Sequence, residues 1–374
     1  MIRGDLPPVG STILTKPSTL IPSFDGFDAF YVDSGTSALA LAIIAAKQLQ
    51  PEITKPEVIV PAYCCPDLVS AAVYAGTQVV VVDISPNDPA YDLEQLGAAI
   101  NSNTIAVIAV NFLGIKERLT QIKSLLPDHC HLIEDNAQSF EPLQAPEQLV
   151  GDMVITSFGR GKPVSLLGGG LCLVREDLSE RLTLAEQIKP AQPTSLLTAK
   201  IAVYNWLIKP TLYPLINRNP LLSVGETKYK PLNSIHALDK QRLTWLDKNI
   251  QAYREQSTFS QQAFDKILAE HEGLTIQRTI EPNEKQGKLL RYPILCSTKE
   301  QRDIILHELN NSGLGASVMY GKNISDIEKP SFLSIKKPIP SATDLSRRII
   351  TLPCHENVDS KNIINIKNII CNCL

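Results

Sequence analysis

The chain has 374 residues, a hydrophobic fraction of 44%, a charged fraction of 20% and a formal net charge of −3. That length allows one large and one smaller domain with a sizeable core, and the balance is that of a globular protein. No basic excess is present to neutralise phosphates, so a nucleic-acid partner is not expected.

Residues 6–24 are rich in proline and read as an extended arm. The first half then alternates short apolar runs with amphipathic ones, the pattern of a parallel sheet covered by helices. Ser34-Gly35-Thr36-Ser37 opens a helix predicted over 34–49, because Ser and Thr cap helix starts and the following Ala, Leu and Ile pack well. A short strand is expected at 58–61 and a helix at 66–74. The runs 79–83, 105–111, 131–135 and 154–158 are short and β-branched with turn or polar residues at their ends, and read as buried parallel strands. At 166–174, three glycines that permit a tight turn or a close approach lead into another strand. A long helix is expected between 233 and 259, joining a large α/β domain (1–247) to a small one (248–374). In the small domain the pattern predicts strands at 289–295 and 317–320 and helices at 299–311 and 359–370.

The eight cysteines (Cys64, Cys65, Cys130, Cys172, Cys296, Cys354, Cys371, Cys373) lie mostly in apolar runs and follow no secretory signal. They show no repeated metal-ligand spacing, so no metal site is expected and a reducing cytoplasm is the simplest location. The apolar stretch 196–216 is broken by Lys200, Asn205, Lys209, Pro210 and Pro214, whereas a spanning helix wants about 20 residues almost free of charge. It reads as a buried or subunit-covering helix, with contact to a membrane surface as the alternative.

Three separated segments carry chemistry when taken together. Ser34-Gly35-Thr36-Ser37 offers backbone N–H groups and hydroxyls at a helix N-terminus, an arrangement that favours a phosphate. Asp135, in H-L-I-E-D-N-A-Q-S, ends a buried strand, where a carboxylate keeps a facing ring nitrogen protonated. Lys162, in S-F-G-R-G-K-P, follows the next strand in a glycine-rich loop from which an amine reaches over the sheet edge to attack an aldehyde. Each has a plain alternative: a capped helix, a carboxylate capping a turn, a solvated lysine. Their order along the chain is the one that a site for pyridoxal 5'-phosphate (PLP) calls for.

At these residues the sequence resembles the DegT/StrS-type nucleotide-sugar aminotransferases of PLP fold type I. The shared motifs are S-G-T-S-A-L (34–39), V-I-V-P-A-Y (58–63), E-D-N-A-Q (134–138), S-F-G-R-G-K (157–162) and G-G-G (168–170). Looser likeness continues through R-Y-P-I (291–294) and L-P-C-H (352–355). The resemblance implies a large, mainly parallel-sheet α/β domain with a smaller C-terminal α/β domain. It implies an enzyme moving an amino group from an amino acid, commonly glutamate, to a nucleotide-linked keto-sugar, working as a homodimer with shared sites. Gly35, Thr36, Ser37 and Ser157 are then the phosphate ligands, Asp135 the partner of the pyridine nitrogen, and Gln138 that of the ring face or its O3' side. Lys162 is the residue for the aldehyde carbon. In some members of the wider group this lysine is replaced and the enzyme is a dehydratase, so its presence favours amino transfer.

Departures from the family pattern bear on the substrate. Cys64-Cys65 stands where members place an aromatic that stacks on the ring; Cys65 either packs there through its sulfur or is a core residue. Lys228-Tyr229-Lys230 stands where many members have N-Y-R, which makes Lys228 the candidate for the neighbouring subunit's phosphate, as a point charge. Arg160, Tyr320 and His355 are the remaining candidates for substrate contact. The cysteine pair also invites another PLP reaction: β-elimination, desulfuration or amino transfer to a small non-sugar ketone. A non-catalytic module would have lost Lys162 or Asp135, and both are present.

Overall fold

The computed structural model describes residues 4–217, 228–269, 274, 286–326 and 330–373. Its strands are β1 (Phe27–Val32), β2 (Glu57–Pro61), β3 (Gln78–Val82), β4 (Thr104–Val110), β5 (His131–Asp135), β6 (Met153–Ser157), β7 (Gly170–Arg175), β8 (Arg291–Leu295), β9 (Leu333–Ser334) and β10 (Ile349–Pro353). The large sheet has the order β1-β7-β6-β5-β4-β2-β3-β9, while β8 and β10 pair as a separate antiparallel ribbon. From β6 to β9 the strands are parallel; β7 and β1 close the other edge antiparallel. Strands such as Gln-Val-Val-Val-Val and Thr-Ile-Ala-Val-Ile-Ala-Val are almost wholly apolar because a parallel sheet is covered on both faces.

Helix α1 (Gly35–Leu49) begins where Ser34 Oγ accepts the Ser37 N–H at 3.0 Å. Its alanines from Ala38 to Ala46 are inaccessible to solvent. Their small side chains let the helix lie close against β6 and β7 and beside α2 (Asp67–Tyr74).

The N-terminal arm is extended, as expected, and its backbone groups are met by side chains. Asn205 and Asn249 each bond both the N–H and the C=O of one arm residue, Ile13 and Leu14 respectively, at 2.8–2.9 Å. Further back the arm crosses to the C-terminal part, where the Leu6 N–H donates to Gly313 O.

The expected helices at 34–49, 66–74, 299–311 and 359–370 form with only small shifts of boundary. The long helix is shorter, Lys240–Glu255, because residues ahead of it run extended beside β1, through the Val32–Ala237 bridge, until Asp239 caps the helix. The division after residue 247 falls inside this helix. The expected strand at 317–320 does not form: Ser317 alone bridges Thr351, and Tyr320 turns down into the core. β1, β9 and β10 were not anticipated. β1 and β9 are edge strands, and β9 has two residues, too few for a readable period. The stretch 196–216 holds the helix Leu197–Leu207, with Leu197 and Ile201 buried but Val203 and Trp206 exposed. No helix among the described residues is long and apolar enough to cross a membrane.

Candidate active site

The carboxyl ends of the parallel strands bring the predicted residues together, as expected for an open α/β sheet. Asp135 closes β5 opposite Val110 and Ile155 of the flanking strands, and Ser157 closes β6 opposite Gly170. A bridge between Ser34 and Gly169 stitches the start of α1 to the same edge. Gly35 thereby lies against Ser157: a Cβ on Gly35 would sit 2.6 Å from Ser157 Cβ and 2.7 Å from its Oγ.

The hydroxyls around this cradle differ in how they are used. Ser37 Oγ donates to Asp33 Oδ1 at 2.6 Å and accepts from Ser34 Oγ at 2.9 Å, so it is spent on the cap. The half-buried Thr36 hydroxyl has no partner among the described residues. Ser157 Oγ accepts only the Gly159 N–H, at 3.2 Å, and keeps its proton to donate. The first-turn N–H groups of Gly35 and Thr36 have no intrahelical acceptor, and a helix N-terminus of this kind, with Ser157 against Gly35, favours an anion.

Strand alternation sends Glu134 and Asp135 to opposite faces. Glu134 accepts the Val150 and Gly151 N–H groups and ties β5 to the next loop. Asp135 is buried, accepts the Ala137 N–H at 2.8 Å and forms no ion pair among the described residues. Burial pushes its carboxyl up to about 6, offset in part by that N–H and by the charge of Lys162. Gln138 is occupied at both ends: its Oε1 accepts the Leu113 N–H at 2.9 Å and its Nε2 donates to Tyr320 Oη at 2.7 Å. Tyr320 is buried in an edge-on cluster with Tyr63 and Phe112, below the sheet edge.

Lys162 is half-buried, and its ammonium makes no hydrogen bond or ion pair among the described residues. It lines a cleft with Val9 of the arm, Tyr253, Leu290, Cys354 and His355. Its charge also reaches Asp135 and Cys65. Cys65 packs against the core, and burial pushes its thiol up to about 12. Arg160 is exposed and its charge acts on Tyr204 and Tyr213. Lys228 lies on the surface and is not among the residues lining the cleft.

His355 lines the cleft but is committed to the arm. Its Nε2 donates to Pro7 O at 2.7 Å, its Nδ1 accepts the Asn357 N–H, and Gly10 abuts the ring. Burial lowers its proton affinity to about 4, against the Pro7 bond and alongside the nearby Arg291 charge. The unfolded chain protonates this histidine at its ordinary value of 6.5, so its contribution to stability is lost as pH falls from about 6.5 to about 4. His355→Gln, which retains a donor for Pro7, is expected to lose less stability than wild type across that window in thermal melts. Equal losses would show that His355 is not the responsible group.

Sequence reasoning missed the arm residues Val9 and Ser11 as cleft walls. They leave no local signal, since an arm without periodicity can lie anywhere on a surface. The residues present fit PLP: a cradle with no room for a side chain at Gly35, a buried carboxylate with no ion pair among the described residues, and a lysine whose charge reaches it.

This sheet, with a lysine loop after β6 and an acid at the end of β5, defines a PLP fold type I enzyme. The profile of the DegT/DnrJ/EryC1/StrS aminotransferase family matches residues 28–371, and the chain belongs to that family of PLP-dependent enzymes. It is 33% identical over 148 residues to a UDP-N-acetyl-3-dehydro-alpha-D-glucosamine 3-aminotransferase of Acidithiobacillus ferrooxidans, covering 38% of this chain and 39% of that protein. It is 29% identical over 150 residues to GDP-perosamine synthase of Vibrio cholerae, covering 39% and 40%. The matches thus span about two fifths of either relative. Among solved structures it is similar to Helicobacter pylori PseC, an aminotransferase involved in the biosynthesis of pseudoaminic acid. That likeness has a TM-score of 0.68 at 20% identity and covers 92% of this chain and 86% of that one.

Proposed function

We propose that the protein transfers an amino group from glutamate to a nucleotide-linked keto-sugar, as a homodimer. The observation that carries this reading is Lys162, which lines a cleft, has an ammonium without a partner among the described residues, and acts with its charge on buried Asp135. The names of the curated relatives, which carry UDP- and GDP-linked sugars, support the acceptor class.

In this reading the N–H groups of Gly35 and Thr36 and the hydroxyls of Thr36 and Ser157 would hold the PLP phosphate. Asp135 would hold the ring nitrogen and Lys162 the aldehyde carbon. Bound there, PLP supplies an electron sink for the charge left when an amino acid loses its Cα proton. Lys162 Nζ would take that proton as a base and deliver it as an acid. Asp135, carrying its charge out of reach of water, keeps the ring nitrogen protonated throughout. Val9 and Ser11 of the arm and His355 line the cleft, and His355 is tied to the arm through Pro7 O.

Sulfur chemistry at the cysteine pair has less support. A nucleophilic cysteine works as the thiolate, and burial keeps Cys65 protonated at neutral pH.

The test is incubation of the PLP-loaded protein with glutamate and a panel of UDP- and GDP-linked keto-sugars, with products read by mass. Aminated sugar and 2-oxoglutarate are expected together. Formation of 2-oxoglutarate without any aminated sugar would move the acceptor outside this class. No 2-oxoglutarate at all would remove glutamate as donor.

A further inference from the structure

The helix Leu197–Leu207 is apolar on two opposite sides. One side packs inward: Leu197 and Ile201 enter the cluster of Phe24, Trp245 and Ile250, and Tyr204 lies against it. The other side carries Leu196, Ala199, Val203 and Trp206, whose spacing of three and four residues puts them on one stripe. Leu196 is 75% exposed, Val203 55% and Trp206 52%. A surface helix turns a polar face to water, and a helix that is apolar all round is one that something covers.

The charges around the stripe select what covers it. No Asp or Glu occurs between Glu186 and Glu226, although 39 of the 374 residues are acidic, whereas Lys189, Lys200, Lys209 and Arg218 fall within that run. Lys200 on the helix and Lys209 just past its end are exposed and form no ion pair among the described residues. Arg160, also exposed, acts with its charge on Tyr204 of the same helix. A second copy of this chain fits such a face poorly. A twofold contact sets a patch against itself, and here it would bring lysine toward lysine with no carboxylate of the segment between them. A bilayer surface suits both features: the headgroup and acyl boundary takes up the apolar stripe, and anionic headgroups attract the lysines. Tryptophan favours that boundary through its amphipathic ring.

We infer that the face formed by Leu196, Val203 and Trp206, with Lys200 and Lys209, docks the protein on the surface of an anionic phospholipid bilayer. The helix has 11 residues, where a span needs about 20, so it lies in the interface and does not cross it. None of these residues lines the Lys162 cleft, so the docking surface holds whichever reaction the site performs.

The PLP-loaded whole chain is sedimented with phosphatidylcholine vesicles, with and without phosphatidylglycerol, and its tryptophan emission is recorded. Wild type is expected to co-sediment with the anionic vesicles alone and to be released as salt is raised. Its emission should move to shorter wavelength on binding, and the shift reports Trp206 because Trp245 is already buried. Lys200→Gln with Lys209→Gln is expected to weaken binding about 30-fold, the share of two lysines beside an anionic leaflet. Val203→Gln with Trp206→Gln is expected to weaken it at least about tenfold, with no fall in melting temperature, since both side chains are exposed. Wild-type vesicle binding in either double variant overturns the inference, as does equal binding to both kinds of vesicle, or to neither. Sedimentation velocity without lipid tests the second copy. A wild type that binds no vesicles and dissociates on Val203→Gln with Trp206→Gln shows that the stripe covers its own copy instead. If that variant does not fold, the lysine pair decides, because exposed lysines are neutralised without touching the core.

Discussion

Lys162→Ala is expected to abolish borohydride fixation of PLP to the protein and to lower amino transfer by at least about a thousandfold, within the range that loss of a positioned acid–base group produces. The same change should leave the fold untouched. Lys162 is half-buried, its ammonium makes no hydrogen bond or ion pair among the described residues, and it caps no helix. Substitutions away from caps, cores and buried pairs usually shift stability by less than about 0.5 kcal/mol. Peptide mapping after borohydride treatment, set beside a thermal melt, separates lost chemistry from lost structure. Wild-type turnover in Lys162→Ala, or PLP fixed on another lysine, would remove Lys162 from its assigned role.

Asp135→Asn is expected to weaken PLP retention by roughly a hundredfold, about 3 kcal/mol, the lower end of the cost of breaking a buried ion pair. Asparagine preserves the shape and can still accept the Ala137 N–H at the position where Asp135 does so at 2.8 Å. What it removes is the charge that would face the ring nitrogen. Without cofactor the sign reverses. Burial raises the Asp135 carboxyl from an ordinary 3.8 to about 6, so the folded chain binds its proton more readily than the unfolded one. That penalty is fully present above about pH 6 and is relieved as pH falls toward about 4. Cofactor-free Asp135→Asn should therefore melt no lower than wild type at pH 8, and its advantage should shrink on acidification. Full PLP affinity in this variant, measured by dialysis and absorbance, would show that another group pairs with the ring nitrogen.

Both assignments were readable before any fold was known, because they rest on residues fixed to regular elements. A β-branched run ending in Asp, and another ending in Ser ahead of a glycine-rich lysine loop, report their own place on a sheet edge. Capped helices were equally plain: Thr298 caps Lys299–Asn311 just where its sequence predicts. Segments without periodicity misled. Residues 317–320 contain Val, Met and Tyr and looked like a strand, but one bridge to Thr351 and the burial of Tyr320 took them out of the ribbon. The extended run before Lys240 looked helical, yet pairing with β1 outweighed its local preference.

Sequence alone determined the class of fold, the order of capped helix start, acid and lysine along the chain, and hence the family. Periodicity, caps and strand ends are local properties, and local order along a parallel α/β chain dictates which residues share the carboxyl edge. Tertiary structure decided which of those residues are still available to a ligand. Ser37 and Gln138 match the family pattern but are consumed by Asp33, Ser34, Leu113 and Tyr320. The Lys162 ammonium is left without a partner among the described residues, whereas Arg291 is buried, with its Nη1 on Ser317. Whether a polar group is satisfied depends on partners far away in the chain, such as Thr351 holding Ser317 beneath Arg291. No motif records that distance, and only the folded chain closes it.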